Sequence, residues 1–496
     1  MLEIELKYNI NTDDLERIIL VLRKLGSKIL SDQVKISHTV YFDTPRYLLR
    51  NAGLELRVRD TAGQFTQTLK PRGQNRQALF IRDEKTASVK KMSPDTSLVQ
   101  KETRLYGLRS LQQEHLRPVF ETKVKRRSID IKWYGCRLNI ALDQGVIASC
   151  RRKVGSRTFN EIEIELIDGD IENLLQFGFE LNKAVNIKLN GYSKADYGYA
   201  LASQRHAFRP VKWEKLSEEV SAETGLKELL SIAFFQLLKN NPEQVHNRLE
   251  SIHQTRVAIR RIRALLRGHK DCLNFLERKG INAELKWAQT KLGAARDWQV
   301  LKHESLPIIQ PKLKRDFAKL DRYVDIQTHH HLKDAMFINN SHRYNRLLSH
   351  LFFWIENLQS DTKNEVKARN KRLKADLRNF ECLSRIPARS FSKNIHDLRI
   401  RTKKLRYMLE VFQQGRDVKE VRLIKEVKSL QGLLGNFNDL SKSLELLSTA
   451  TPSEIPTNVN GKLRDIVSGE MDKLYDLAKP KFKRVRAIIR QIQRSN

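Results

Sequence analysis

Glu3, Glu5 and Lys7 alternate with Leu2, Ile4 and Leu6 at the start of this 496-residue chain. In a β-strand successive side chains point to opposite faces, so this spacing gathers two carboxylates and an ammonium on one face. A second run repeats the arrangement, with Glu161, Glu163 and Glu165 alternating with Ile162, Ile164 and Leu166. Five carboxylates on two short strands repel one another unless a cation sits among them. The chemistry they predict is a divalent metal site. Basic groups recur on the same spacing. Glu55, Arg57 and Arg59 share a face opposite Leu54, Leu56 and Val58; Thr66, Thr68 and Lys70 share the next, and Arg82 lies with Glu84. Arginine suits bidentate contact with phosphate oxygens, so this second set predicts an anion near the metal. A metal bridged to phosphate among several cations is the general equipment of phosphoryl transfer.

The elements that must position these groups are short amphipathic strands, running to about residue 170. A helix is expected over Asn11–Leu30, with Asp13 and Asp14 in its first turn and Gly26 closing it. Residues 71–77 read as a basic loop, and Phe120–Ile131 as a basic strand in which Arg126 or Arg127 faces inward. Solvent-facing strand positions normally mix Thr, Ser, Gln and Lys. Arg, Lys and Glu recurring strand after strand fit a closed antiparallel β-barrel with a charged lumen.

From Gly225 the pattern changes to helical periodicity. The expected fold class is α+β: a closed N-terminal barrel with flanking helices over 1–205, a linker over 206–220, and an all-α bundle over 221–496. An internal repeat marks the bundle. His253-x-x-Arg256-x-x-x-Arg260-x-x-Arg263 recurs as His396-x-x-Arg399-x-x-x-Lys403-x-x-Arg406, and a segment ending at Asp297 recurs as one ending at Asp439. Two copies of one helical unit predict approximate internal two-fold symmetry. The basic groups fall on one helical stripe, where like charges a turn apart repel by a few tenths of a kcal/mol per pair. An extended anion along both stripes would remove that repulsion.

The formal charge is +34, with 92 Lys+Arg against 58 Asp+Glu, which points to a polyanionic partner. Residues 1–220 contribute +10 (38 basic, 28 acidic) and residues 221–496 contribute +24 (54 basic, 30 acidic), so the second half is the stronger candidate. Cys136, Cys150, Cys272 and Cys382 are scattered, without a CxxC pair, and fit neither a disulfide framework nor a zinc site. His329-His-His331 reads as a solvated helix. The opening strand is no signal peptide, and no apolar run reaches the roughly 18 residues of a membrane span. A cytoplasmic protein without membrane partners is expected.

The motifs of the first half resemble those of the CYTH, or triphosphate tunnel metalloenzyme, family. Glu3-x-Glu5-x-Lys7 resembles its N-terminal signature, followed in order by Tyr41-Phe-Asp-Thr44, Leu56-Arg-Val-Arg59, Thr68-Leu-Lys70, Arg82-Asp-Glu84, Thr122 with Arg126, Asp143, Glu161-x-Glu163-x-Glu165 and Ser193-Lys194. The resemblance implies an eight-stranded tunnel that binds a triphosphate. It implies that Lys7, Arg57, Arg59, Lys70, Arg82, Arg126 and Lys194 grip phosphates. Glu3, Glu5, Glu161, Glu163 and Glu165 would hold Mg²⁺ or Mn²⁺, with Asp143 beside them. Glu3, Glu5, Lys7 and Asp143 would then form the catalytic set, and a metal-polarised or glutamate-oriented water would attack the terminal phosphorus.

The paired stripes resemble those of the CHAD family, the conserved-histidine α-helical domain, over about 225–490. This implies a bundle binding inorganic polyphosphate through His253, Arg256, Arg260, Arg263, His396, Arg399, Lys403 and Arg406, and association with polyphosphate granules. Phosphate near the histidines would favour their imidazolium form and hence binding at lower pH. The expected function is metal-dependent hydrolysis of inorganic triphosphate beside a polyphosphate-binding domain. The alternatives are a non-catalytic polyphosphate-binding or targeting protein, and a tunnel acting on nucleoside or thiamine triphosphate, an ATP cyclase included. Nucleic acid enters only as a non-specific polyanion, because no recognition motif accompanies the charge.

Overall fold

The computed structural model describes residues 2–495 apart from 72–77, 104–107, 109–114, 151–154, 204–207, 213–223, 246, 314–316, 360, 384–390, 412–417 and 456. Most of the expected loop 71–77 and of the expected linker 206–220 therefore lies outside the described residues. The chain forms two compact units. One comprises Met1–Pro210, Gln244–His246 and Asn340–Asn357; the other comprises Val211–Glu243, Asn247–Asn339 and Leu358–Asn496. No described helix is long and apolar enough to cross a membrane.

The first unit is built on ten antiparallel strands: β1 (Leu2–Asn9), β2 (Lys28–Asp43), β3 (Leu54–Thr61), β4 (Gln64–Pro71), β5 (Leu79–Asp83), β6 (Lys85–Val89), β7 (Arg117–Trp133), β8 (Cys136–Ser149), β9 (Ser156–Asp168) and β10 (Lys188–Leu189). The hydrogen-bonded order is β10-β1-β9-β8-β7-β2-β3-β4-β6, with β5 on β1. The expected closed barrel is therefore open. The break has a local cause: β5 pairs with β1 as far as Asp83, and β6 pairs with β4 from Lys85. Glu84 belongs to neither ladder and turns instead to Lys70 and Arg57.

The expected helix over Asn11–Leu30 is shorter. It consists of Thr12–Leu15 and α1 (Arg17–Lys24), because Lys28 and Ile29 already pair with Lys132 and Ile131 of β7. Outward-facing Leu6, Tyr8, Leu56, Val58, Ile162 and Ile164 are buried. Helices α2 (Ile171–Ala184) and α3 (Lys194–Ala202) belong to the same unit. Gly198 lets α3 lie on the sheet, since a Cβ there would stand 2.1 Å from the Phe120 ring.

The second unit is helical: α4 (Leu226–Lys239), α5 (Arg248–Gly268), α6 (Phe275–Lys291), α7 (Gly293–Val300), α8 (Phe317–Asn340), then α10 (Thr362–Leu383), α11 (Phe391–Val411), α12 (Val418–Leu447) and α13 (Thr457–Ser495). The intervening α9 (His342–Glu356) belongs to the first unit. There His342 Nε2 lies 2.6 Å from the Asn182 carbonyl, and Phe353 stacks on Phe179 at 5.7 Å.

The sequence repeat falls on α5 and α11, each of 21 residues. Its second segment differs between the copies. Asp297 follows a helix break at Leu292, whereas Asp439 lies inside the continuous α12. Gly293 at the break is where Arg256 passes: a Cβ would stand 3.1 Å from Arg256 Nη1, while Gly435 has open space.

Candidate functional site

Strand register brings the charged faces of the first unit together. Glu5 lies opposite Glu165, Lys7 opposite Glu163, and Asn9 opposite Glu161; Asp143 lies opposite both Glu161 and Arg126. Glu3 pairs with Arg82, and Glu55 with Lys70. These side chains are inward and largely buried: Asp143 is fully covered, and Glu5, Lys7, Lys70, Arg82 and Glu161 are 5% exposed or less. Arg126 faces inward and Arg127 outward, where it forms a 2.7 Å ion pair with Asp32. Lys194 enters from the first turn of α3. A capping box fixes that turn: Ser193 Oγ accepts from the Asp196 amide at 3.1 Å, and Asp196 accepts from the Ser193 amide at 3.0 Å.

The cations divide into two groups. Lys194 Nζ lies 2.8 Å from Asp143, 2.9 Å from Glu161 and 2.8 Å from Glu163. Arg126 binds both oxygens of Asp143 at 2.7 Å and also reaches Glu163. Lys7 contacts Glu163 and lies 2.9 Å from Glu5. Burial alone would discharge Lys7, but Glu163, Glu5 and Glu161 outweigh it and hold its ammonium above the ordinary range. Burial likewise opposes ionisation of Glu163, yet Lys194, Lys7 and Arg126 keep it well below the ordinary range.

The second group retains unused donors. Arg82 Nε and Nη2 and Arg57 Nε are buried without hydrogen-bond partners. Arg59 donates to Thr39 Oγ1 at 3.2 Å, and the adjacent Arg57, together with burial, pulls its guanidinium down to about 10. Buried cations crowded together in this way gain from an anion.

On the acidic side, Glu3 Oε2 is buried, its nearest cation is Lys70 Nζ at 3.6 Å, and burial with Glu5 raises its carboxyl. Glu165 is pushed up to about 7 by burial and by Glu3, Glu5 and Glu163. Burial also pushes Glu161 up to about 7, against the opposing pull of Lys194 and Lys7. Several buried carboxylates facing one another, with raised proton affinity at Glu3, Glu161 and Glu165, are a donor set that fits a hard divalent cation. Glu55 and Glu84, for which the sequence suggested no role, share this lumen: Glu84 binds Lys70, and Glu55 lies 4.0 Å from Arg82. Their alternation with Arg57 and Arg82 was the available signal.

A buried polar chain supports the acidic end. Gln244 Nε2 donates to Tyr197 Oη at 2.6 Å, and Tyr197 donates to Asn190 Oδ1 at 3.2 Å. Asn190 Nδ2 in turn donates to Glu161 Oε2 at 3.4 Å.

In the second unit, Arg256, Arg260, Arg399 and Lys403 form one electrostatically coupled cluster from α5 and α11. Burial, then Arg399 and Arg260, pull the Lys403 ammonium down to about 7. Burial and Arg260 pull Arg256 down to about 10, with Asp297 opposing. The Nε atoms of Arg256 and Arg399 are buried without partners. His253 and Arg406 line a cavity of about 560 Å³ with Arg296 and His303. Arg263 lines a second cavity, of about 430 Å³, with Arg260, Lys403 and Tyr407, and donates at 2.9 Å to both Asn282 and Gln289. His396 is exposed and lines neither. His253 is not a cation near neutrality: burial and then Arg296, Arg260 and Arg256 push it down to about 3.

The first unit thus opposes carboxylates and arginines across one antiparallel sheet, and the second carries a buried cationic cluster on its helices. Residues 1–199 match the family model of the CYTH domain and residues 228–448 that of the CHAD domain. The chain is a CYTH–CHAD fusion. A protein of Haemophilus influenzae named inorganic triphosphatase is 27% identical over 200 residues, 40% of this chain and 55% of that protein. The match thus spans about half the length of that relative. The CHAD domain structure from Ricinus communis is 23% identical, covering 57% of this chain and 96% of that one, with a TM-score of 0.45. A Hippeastrum protein whose structure is described as revealing a dominant triphosphatase activity is 18% identical, covering 40% and 95%, with a TM-score of 0.27.

Proposed function

We propose that the first unit hydrolyses triphosphate, with inorganic triphosphate the preferred substrate, and that the second unit binds inorganic polyphosphate. The observation that carries the catalytic reading is the divided lumen, where the acids Glu3, Glu5 and Glu165 occur with guanidinium donors of Arg57 and Arg82 that make no hydrogen bond. A polyanion site alone has no use for those acids, which would repel its ligand. The CYTH match and the Haemophilus influenzae relative support the same reading.

In this reading Arg57, Arg59 and Arg82 bind the phosphate chain, with Lys70 beside them. Glu3, Glu5 and Glu165 would hold Mg²⁺ or Mn²⁺, together with Glu161 and Glu163. Held by those residues, a divalent ion would supply charge neutralisation for the reacting phosphate. Lys7, Lys194 and Arg126 keep Glu161 and Glu163 in place. Asp143, fully buried and held by Arg126 and Lys194, orients those cations rather than touching water. A metal-polarised or glutamate-oriented water would then attack the terminal phosphorus. The test is phosphate release from inorganic triphosphate, ATP and long-chain polyphosphate with Mg²⁺ or Mn²⁺, with and without EDTA. Release that is fastest from inorganic triphosphate and abolished by EDTA is expected. No release from any substrate overturns the catalytic reading.

Polyphosphate binding in the second unit rests on the Arg256–Arg260–Arg399–Lys403 cluster. Its pH dependence should follow Lys403 rather than His253. Free Lys403 titrates at about 7, facing Arg399, Arg260, Arg256 and Asp439. A bound polyanion raises that value, so the complex holds more protons than the free protein above pH 7. Affinity should be full below pH 7 and fall above it, by at most about tenfold per unit. Titrations between pH 6 and 9 check this, and Lys403→Arg should flatten the profile.

A further inference from the structure

We propose a second metal site, on α8, formed by His330, His331 and Asp334 and selective for a borderline divalent ion such as Zn²⁺ or Co²⁺. The three side chains present donor atoms that all lie within 4.8 Å of one another. His330 Nε2 and His331 Nδ1 each lie 3.5 Å from the same Asp334 oxygen. Zinc bound at about 2.0–2.2 Å by nitrogen and oxygen places neighbouring tetrahedral ligands about 3.4 Å apart. Two edges of the triangle therefore already have the required length. The third, between the two imidazoles, is within 4.8 Å, and the His330 side chain is 65% exposed.

The spacing explains the convergence. Asp334 is four residues after His330 and three after His331, so both imidazoles reach one turn along the helix to the same carboxylate. His331 is held on its other side by Trp298, whose ring stacks on it at 5.9 Å and 13°. His329 is not part of the site: the donor atoms that come together are those of His330, His331 and Asp334, while His329 Nδ1 lies 2.9 Å from the Asp325 carbonyl. The histidine run alone suggested solvated helix; the missed signal was the carboxylate at Asp334.

Two imidazoles and one carboxylate suit zinc, cobalt or nickel and disfavour Mg²⁺, which requires oxygen donors. This separates the site from the lumen of the first unit, whose donors are carboxylates. Three protein ligands leave a fourth position for water or an exchangeable anion.

The test titrates the full-length protein with Zn²⁺ and with Co²⁺ in excess Mg²⁺, added to compete at the carboxylate lumen. Wild type should bind one equivalent that His330→Ala and Asp334→Ala each weaken by about tenfold or more, while His329→Ala leaves it unchanged. Bound Co²⁺ should show the intense visible absorption of tetrahedral coordination, and both ligand variants should lose it. Isotherms identical in wild type and both ligand variants, or an equal loss in His329→Ala, overturn the proposal.

Discussion

A Lys7→Met variant should be destabilised by about 3–5 kcal/mol, the usual cost of leaving buried charges without their partner. Lys7 is 4% exposed and lies among Glu5, Glu161 and Glu163. Methionine fills similar volume but supplies no charge, so three buried acids lose a shared counter-ion. Thermal unfolding of the first unit should move down by roughly 10 °C. Mg²⁺ should recover more of that loss in the variant than it adds to wild type, because the released carboxylates can take a cation. A variant as stable as wild type, and no more responsive to Mg²⁺, would show that Lys7 does not hold the acidic wall together.

An Arg260→Ala variant should move stability and binding in opposite directions. Arg260 lowers the proton affinity of Arg256 and Lys403, so in the free protein it opposes folding through repulsion. Removing it should raise the melting temperature of the second unit by roughly 2–4 °C. The same change deletes a charge-assisted contact to polyphosphate, and affinity should fall roughly ten- to hundredfold. Arg260→Glu should weaken binding further. Parallel melting and titration of the three proteins decide it. Reduced affinity with reduced stability would mark Arg260 as an ordinary structural residue.

How far the sequence carried these conclusions depended on local periodicity. The alternation at Glu3, Glu5 and Lys7, and at Glu161, Glu163 and Glu165, was enough to place all six on one inner wall, because a strand has period two. Arg126 against Arg127 was not decidable that way. Both lie in the basic run Lys125-Arg126-Arg127, and the outer face there is wet enough for Arg127 to pair with Asp32.

Long-range features escaped. The stripe of α9 shows that it packs on something, but not that its partner is the first unit. Glu84 reads as one more alternating charge, though it marks the point where the barrel stays open. Burial was equally hidden: His253 resembled a titrating cation until its arginine neighbours were located. The sequence repeat falls on two helices of equal length, α5 and α11, but its second segment follows a helix break at Leu292 in one copy and lies inside continuous α12 in the other, so the expected two-fold symmetry is not established.

The most direct measurement compares wild type with a Glu3→Ala/Glu5→Ala double variant, following divalent-dependent phosphate release and polyphosphate binding in the same preparations. Loss of release by about a thousandfold or more, with polyphosphate affinity unchanged, is the expected result for two independent anion sites. Undiminished release from the double variant would contradict hydrolysis in the lumen.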